Sequence, residues 1–209
     1  MKVLILNGSP HSNGDTVSVI KKIKDRFPDD TIYEEINAYE DNIKPCNDCR
    51  YCWKNKGCSI NDKMSLVMKD DYDILLIASP VYMSFVTPPL FSVYTRLNYI
   101  WSNKHFLNIS TVMKPKKGLL VLAGGGEGAP DDAIKMSTKI LKKLNAEFDL
   151  EKDYIYSLNT DNIPAKDDPA IDGQIDIAIN HVLKKWGELL CLKFSTMLLQ
   201  IDQCKLDKN

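Results

Sequence analysis

Cys46, Cys49, Cys52 and Cys58 follow the pattern C-x2-C-x2-C-x5-C, so four thiols share a short polar segment. Thiolates are soft ligands, and a set of four can bind a 4Fe–4S cluster or zinc. Zinc sites more often use two separated C-x2-C knuckles, and a compact run with a shared central cysteine suits a cubane cluster better. The last interval departs from the C-x3-C-P ending of a ferredoxin run. Free or redox-active thiols are the third reading, and the residues alone leave all three open. Tyr51 and Trp53 stand inside the run, either shielding it or simply packing. Cys191 and Cys204 lie near the C-terminus and read as incidental thiols.

A second constellation begins at residue 7. The apolar run Val3–Leu6 enters Asn7-Gly8-Ser9-Pro10-His11-Ser12-Asn13-Gly14-Asp15-Thr16, and a helical pattern follows. Strand, small hydroxyl-bearing loop and helix N-terminus make a phosphate site. Glycine permits close backbone approach, the first helical N–H groups are unpaired, and the dipole favours an anion. Ser9, Ser12, Thr16 and His11 add side-chain donors. No Gly-Lys-Ser/Thr follows, and G-x-G-x-x-G is absent, so neither a Walker loop nor a dinucleotide fingerprint is present. A loop with few full charges suits a phosphate monoester held mainly by dipoles. A plain capping turn is the alternative.

Two further loops follow apolar runs. Ile74–Ala78 leads into Ser79-Pro80-Val81-Tyr82-Met83-Ser84-Phe85-Val86-Thr87-Pro88-Pro89, stiff and aromatic enough to flank a planar ring. The Thr87 hydroxyl and backbone amides are expected to reach that ring's polar edge. Leu119–Ala123 leads into Gly124-Gly125-Gly126-Glu127-Gly128, a bare backbone that a ring can approach closely. Taken singly, each loop could be an ordinary turn. Three such loops at the C-terminal ends of presumed strands converge on one rim, where open parallel sheets bind ligands.

The elements that must carry these loops alternate. β-leaning runs at Val3–Leu6, Thr31–Ile36, Ile74–Ala78, Leu119–Ala123 and, more weakly, Asp153–Ser157 are separated by helical patterns. The helical stretches are Thr16–Arg26, Lys63–Lys69, Leu90–Trp101, Asp131–Leu144 and Ile171 to about Ile201. Strands alternating with helices predict an α/β protein, a doubly wound five-stranded parallel sheet with helices on both faces. Residues 1–209 read as a single domain with a cysteine-rich insertion at about 38–61. Asn98–Lys117 is expected to be an extended connection. Tyr72, Tyr94, Tyr99 and Trp101 read as core or interface, and His105 and His181 as structural. The formal net charge is −1, which argues against nucleic acid or an anionic membrane as partner. The lysines at 21, 22 and 24 and at 114, 116 and 117 read as solvated faces. No signal peptide or membrane-length apolar run is visible, so a cytoplasmic location is expected.

Together these residues resemble the NAD(P)H-dependent FMN reductase family, of flavodoxin-like fold. Gly8 to Thr16 is similar to its phosphate loop, roughly G-S-P-R-x-x-G-N/D-T. Pro80-Val81-Tyr82 through Leu90 resembles its isoalloxazine loop. Cys46–Cys58 with Asn61-Asp62-Lys63-Met64 resembles the iron–sulfur flavoprotein branch. The resemblance covers about the first 130 residues. It implies Ser9, His11, Asn13, Asp15 and Thr16 around the FMN phosphate, with Asp15 serving the helix cap. Pro80, Val81, Tyr82, Met83 and Phe85 would border the flavin ring, and Gly124, Gly125 and Gly126 its pyrimidine end. Cys46, Cys49, Cys52 and Cys58 would hold a 4Fe–4S cluster that relays electrons to FMN. His11 replaces the usual Arg, which would make phosphate affinity more pH-dependent. Thr95-Arg96 stands where Asp-Arg is common. The implied activity is flavin oxidoreduction, with NAD(P)H or a reduced carrier as donor and a small-molecule or protein acceptor. A protein–protein electron relay and a non-catalytic flavin or thiol redox sensor are the alternatives. Flavin reduction needs no protein acid, base or nucleophile, so no catalytic side chain is assigned. The cysteine segment and the apolar last helix fit a homodimer or homotetramer.

Overall fold

The computed structural model describes residues 1–109, 113–126 and 129–184. Five parallel strands form the sheet: β1 (Lys2–Asn7), β2 (Ile32–Asn37), β3 (Ile74–Tyr82), β5 (Lys116–Ala123) and β7 (Tyr154–Ser157). Their spatial order is β2-β1-β3-β5-β7. This is the 2-1-3-4-5 flavodoxin-like order among the five, with the switch point between β1 and β3. Register is parallel throughout, with Val3 opposite Tyr33 and Ile74, and Leu76 opposite Leu119. Two short strands complete the set. β4 (Phe85–Val86) folds back antiparallel onto Val81 and Tyr82, and β6 (Ala146–Glu147) pairs with the start of β5.

The strands are continuous apolar runs because both faces are covered. Val3, Ile5, Ile74, Leu76, Leu119 and Val121 pack on one side. They meet α1 (Asp15–Lys24), through Val19, Ile20 and Ile23, and a helix over 169–184, here α6, through Ile171, Ile175 and Val182. Leu4, Leu6, Leu75, Ile77, Leu120 and Leu122 face the other side. There lie α2 (Ser65–Lys69), α3 (Pro88–Arg96), α4 (Asn98–Leu107) and α5 (Asp131–Lys143). The apolar positions of the last helix beyond 184, with Cys191 and Cys204, lie outside the described residues.

Two expectations fail. Asn98–Lys117 is not an extended connection, because α4 fills 98–107. Its buried residues are Tyr99, Ser102 and Asn103, so polar groups face inward and no apolar stripe marks it. Lys116 and Lys117 are not on a solvated face. Lys116 is buried, with Nζ 2.8 Å from Asp70 and from the Leu144 carbonyl and set over the Tyr72 ring. Lys117 pairs with Glu147.

Candidate functional site

The C-terminal ends of β1, β3, β5 and β7 open into a cleft. Ser9, Pro10, His11, Gly14, Asp15 and Thr16 line one end, Pro80, Val81 and Tyr82 one wall, and Ala123, Gly124, Gly125, Thr160 and Asp161 the other. It is open to solvent and has a cavity volume of about 190 Å³.

The phosphate loop is preorganised by its own side chains. The Ser9 amide donates to Asn7 Oδ1 (2.9 Å), and Ser9 Oγ donates to the His11 carbonyl (3.0 Å) while accepting from the His11 amide (3.2 Å). Ser9 therefore shapes the loop. Gly14 is the N-cap of α1 and carries no side-chain cap bond, so the first-turn amides are left for an anion. Asp15 Oδ1 accepts from the Ala165 amide (2.7 Å), which pins the segment after β7 against α1. The Thr87 hydroxyl is not free for a ring either. Oγ1 donates to the Gly8 carbonyl (2.8 Å), tying the second loop to the first. A Cβ at Gly8 would meet that Oγ1 at 2.9 Å, so the contact requires glycine.

Nine of the thirteen residues expected around a flavin line this cleft: Ser9, His11, Asp15, Thr16, Pro80, Val81, Tyr82, Gly124 and Gly125. Asn13, Met83, Phe85 and Gly126 do not. Met83 is 93% exposed at the tip of the β3–β4 hairpin, in left-handed backbone. Thr160 and Asp161 were not among the residues expected. The signal was present, since they follow β7 as the other loops follow β1, β3 and β5. The amides of Thr160 and Asp161 donate to the Gly124 and Gly125 carbonyls (2.9 and 3.1 Å). The Asp161 carboxylate occupies the space that a Cβ at position 125 would fill.

The cysteine segment makes a second site. Cys46, Cys49, Cys52 and Cys58 line one small pocket with Tyr51, Trp53, Arg96, Tyr99 and Ser102. Its walls come from α3 and α4. Thr95 Oγ1 accepts from the Cys46 amide (3.1 Å). Arg96 Nη1 donates to Asp62 (2.6 Å) and the Lys44 carbonyl, and Nη2 donates to the Ile60 carbonyl and Asp62. Asn103 Nδ2 donates to the carbonyls of Cys52 (2.7 Å) and Asn55 (3.0 Å), and Oδ1 accepts from the Gly57 amide (2.8 Å). Trp53 stacks on Phe106 with ring centroids 4.2 Å apart, and Arg50 lies over Trp53. The Thr95-Arg96 pair thus anchors both ends of the cysteine loop. Burial weighs against the charge on Arg96, but the hydrogen bonds to Asp62 and the neighbouring Cys58 hold its pKa above the ordinary value. The hydrogen bond with Ser59 lowers the Cys49 thiol below its ordinary value.

Four thiols around one pocket fit the donor set of a thiolate-ligated centre. Arg96 and Ser102, two residues of the same pocket, each bury a polar atom, Nε and Oγ, that makes no hydrogen bond. Among the described residues, however, no three Cys, His, Asp or Glu side chains are gathered closely enough to hold a metal ion. The backbone brings the four cysteines to one pocket, and their thiols stay apart along its wall.

The family model for NADPH-dependent FMN reductase matches residues 1–146. The chain belongs to the NADPH-dependent FMN reductase family. FMN-dependent oxidoreduction is the chemistry of that family. An iron–sulfur flavoprotein of Clostridioides difficile (strain 630) is 30% identical over 209 aligned positions, covering 88% of this chain and 90% of that protein. An iron–sulfur flavoprotein of Methanocaldococcus jannaschii is 28% identical over 93 residues, covering 43% of this chain and 48% of that protein, about half its length. Among solved structures, RosB with bound 8-demethyl-8-formylriboflavin-5'-phosphate is 15% identical. It superposes with a TM-score of 0.61, covering 94% of this chain and 87% of RosB, which shows a shared fold. No helix among the described residues is long and apolar enough to cross a membrane.

Proposed function

We propose that this reductase-family member binds FMN in the rim cleft and a 4Fe–4S centre at the four cysteines. The observation that carries this reading is the cleft itself, formed where β1, β3, β5 and β7 end, beside the β1/β3 switch point. The bound groups would supply hydride and one-electron chemistry. The protein's part is binding and orientation. The uncapped start of α1 and Thr16 receive the phosphate, with Ser9 holding the loop around it. Pro80, Val81 and Tyr82 cover one face of the ring, and Gly124 and Gly125 admit its other edge. Asp15 and Thr87 hold these walls through their bonds to Ala165 and Gly8. The names of the two curated relatives and the shared thiol pocket support the iron–sulfur part. NAD(P)H or a reduced carrier is the donor, and the acceptor is a small molecule or a protein. A homodimer or homotetramer goes with this reading. The exposed aromatic edge at Trp101 and Phe106 is a surface left to cover.

Anaerobic purification with a visible spectrum and with iron, zinc, acid-labile sulfide and FMN assays tests both parts. About four iron and four sulfide per chain with stoichiometric FMN is the expected result. FMN without iron overturns the cluster and leaves the flavin reading. Zinc in place of iron assigns the thiols to a structural metal. Absence of FMN after incubation with excess cofactor overturns the cleft assignment.

A further inference from the structure

The rim cleft carries carboxylates and no fixed cation. Among the described residues its titratable side chains are His11, Asp15, Tyr82 and Asp161, and neither lysine nor arginine lines it. Asp15 is spent on the fold, since its Oδ1 accepts from the Ala165 amide (2.7 Å). Asp161 is placed differently. Its backbone is held firmly. Its own amide donates to the Gly125 carbonyl (3.1 Å) and the Thr160 amide to the Gly124 carbonyl (2.9 Å). The Asn162 and Ile163 amides then close a turn on the Asn159 carbonyl (3.1 and 2.9 Å). The Asp161 side chain makes no hydrogen bond or ion pair among the described residues. Its carboxylate lies where a Cβ on Gly125 would stand, and Oδ2 is 3.6 Å from the corresponding place on Gly126. A pinned turn therefore sets an unneutralised negative charge against the glycine wall of the cleft.

We propose that Asp161 is a tuning charge that lowers the reduction potential of FMN held in the cleft. This rests on the FMN reading given above. Reduction of a flavin by two electrons and one proton leaves one negative charge on the ring at neutral pH and above. Charge close to the ring nitrogens is one of the means by which a protein adjusts a flavin. A carboxylate beside the ring repels that new charge, more strongly once the bound ring has displaced water. Oxidised FMN, whose ring is neutral, escapes this penalty. The cleft has little to offset it. The uncapped start of α1 and His11 lie at the phosphate end, and no lysine or arginine stands beside Gly124 and Gly125. The bound flavin is thus a stronger reductant than the same cleft would make it with a neutral residue at 161. Asp161 transfers no proton in this account; its part is purely electrostatic.

Asp161→Asn removes the charge and keeps the shape. Wild type and variant, each loaded with FMN and assayed for it, are titrated anaerobically against a reference dye while the flavin absorbance is followed. The expected result is full FMN content in both and a more positive midpoint in Asp161→Asn. Reduced FMN should gain about tenfold in affinity relative to oxidised FMN, which is about 30 mV for a two-electron couple. Asp161→Glu keeps the charge, and its midpoint should stay close to that of wild type. An unchanged or more negative midpoint in fully loaded Asp161→Asn overturns the proposal and leaves the FMN reading standing. Equal shifts in Asp161→Asn and Asp161→Glu overturn it too, because shape and not charge would then set the potential. Loss of FMN from Asp161→Asn alone overturns it as well, since the carboxylate would then be holding the loop or the ligand. Wild type that binds no FMN overturns the cleft reading itself, and the proposal with it.

Discussion

The rim cleft and the cysteine cradle are built by opposite means. The cleft is made where strands end, and most of its shape belongs to the backbone: first-turn amides, prolines and glycines. Its side-chain ties, Thr87 to Gly8 and Asp15 to Ala165, hold one loop to the next. The cradle is a loop of irregular backbone with little structure of its own beyond the short 3₁₀ turn Tyr51–Trp53. It is held by Thr95, Arg96 and Asn103 reaching out from two helices. A cleft of the first kind comes with the sheet. A cradle of the second kind hangs on a few side chains, so it is expected to be lost before the sheet is disturbed.

Asn103→Ala is the most severe way to test that separation. It removes two donated bonds to Cys52 and Asn55 and the acceptor for the Gly57 amide. Buried polar groups left unpaired cost about 1–3 kcal/mol each, so a total of roughly 2–5 kcal/mol is expected, confined to the cradle. Iron and sulfide content should fall to background while FMN content and the far-UV spectrum stay near wild type. Equal loss of FMN would show that the two regions are one cooperative unit.

The difference also decides what could be read from the sequence. Strand runs such as Ile74–Ala78 are uniformly apolar, and the loops after them carry glycine and proline at visible positions. The parallel sheet and the three loops on its rim were therefore legible. The cradle's supports were not. Arg96 and Asp62 are 34 positions apart, and Asn103 and Cys52 are 51 apart, distances over which local periodicity says nothing. α4 escaped for a related reason, because it turns Ser102 and Asn103 inward and so shows no apolar stripe. Asp15 and Thr87 were recognisable as residues of the site, but their bonds run to Ala165 and Gly8 and not to a cofactor. Thr160 and Asp161, which complete the wall begun by Gly124 and Gly125, follow the weakest strand pattern, β7.

Gly125→Ala sharpens the comparison from the cleft side, with a smaller expected effect. Its Cβ would sit well inside contact distance of Asp161 Oδ1, so the carboxylate must swing away or the loop must shift. Overpacking of this kind costs about 1–3 kcal/mol, and FMN affinity should weaken about tenfold for each 1.4 kcal/mol that falls on the bound state. Iron content should not change. Gly125→Ala combined with Asp161→Ala removes the obstructing carboxylate and should recover most of the affinity by equilibrium fluorescence titration. Failure of the double variant to recover would mean that the loop needs the bare glycine backbone for the ring, whatever Asp161 does.

The smallest effect concerns one thiol. In the cleft, function rests mostly on backbone groups that do not titrate. In the cradle it rests on individually adjusted side chains, and Cys49 is the measurable case. The hydrogen bond between Cys49 and Ser59, 3.3 Å between sulfur and oxygen, lowers the pKa of this exposed thiol, with the Tyr51 backbone adding to the effect. The sign follows directly. A lowered pKa leaves more thiolate at a given pH, and the thiolate is the nucleophile. In metal-free protein, the alkylation rate of Cys49, followed by peptide mass spectrometry, should therefore rise at a lower pH than an ordinary thiol. Ser59→Ala removes the first cause and should move the profile upward, slowing alkylation near neutral pH and leaving FMN binding unaltered. A profile that ignores Ser59→Ala would assign the shift to the Tyr51 backbone, and the cradle would then tune its thiol by the same backbone means as the cleft.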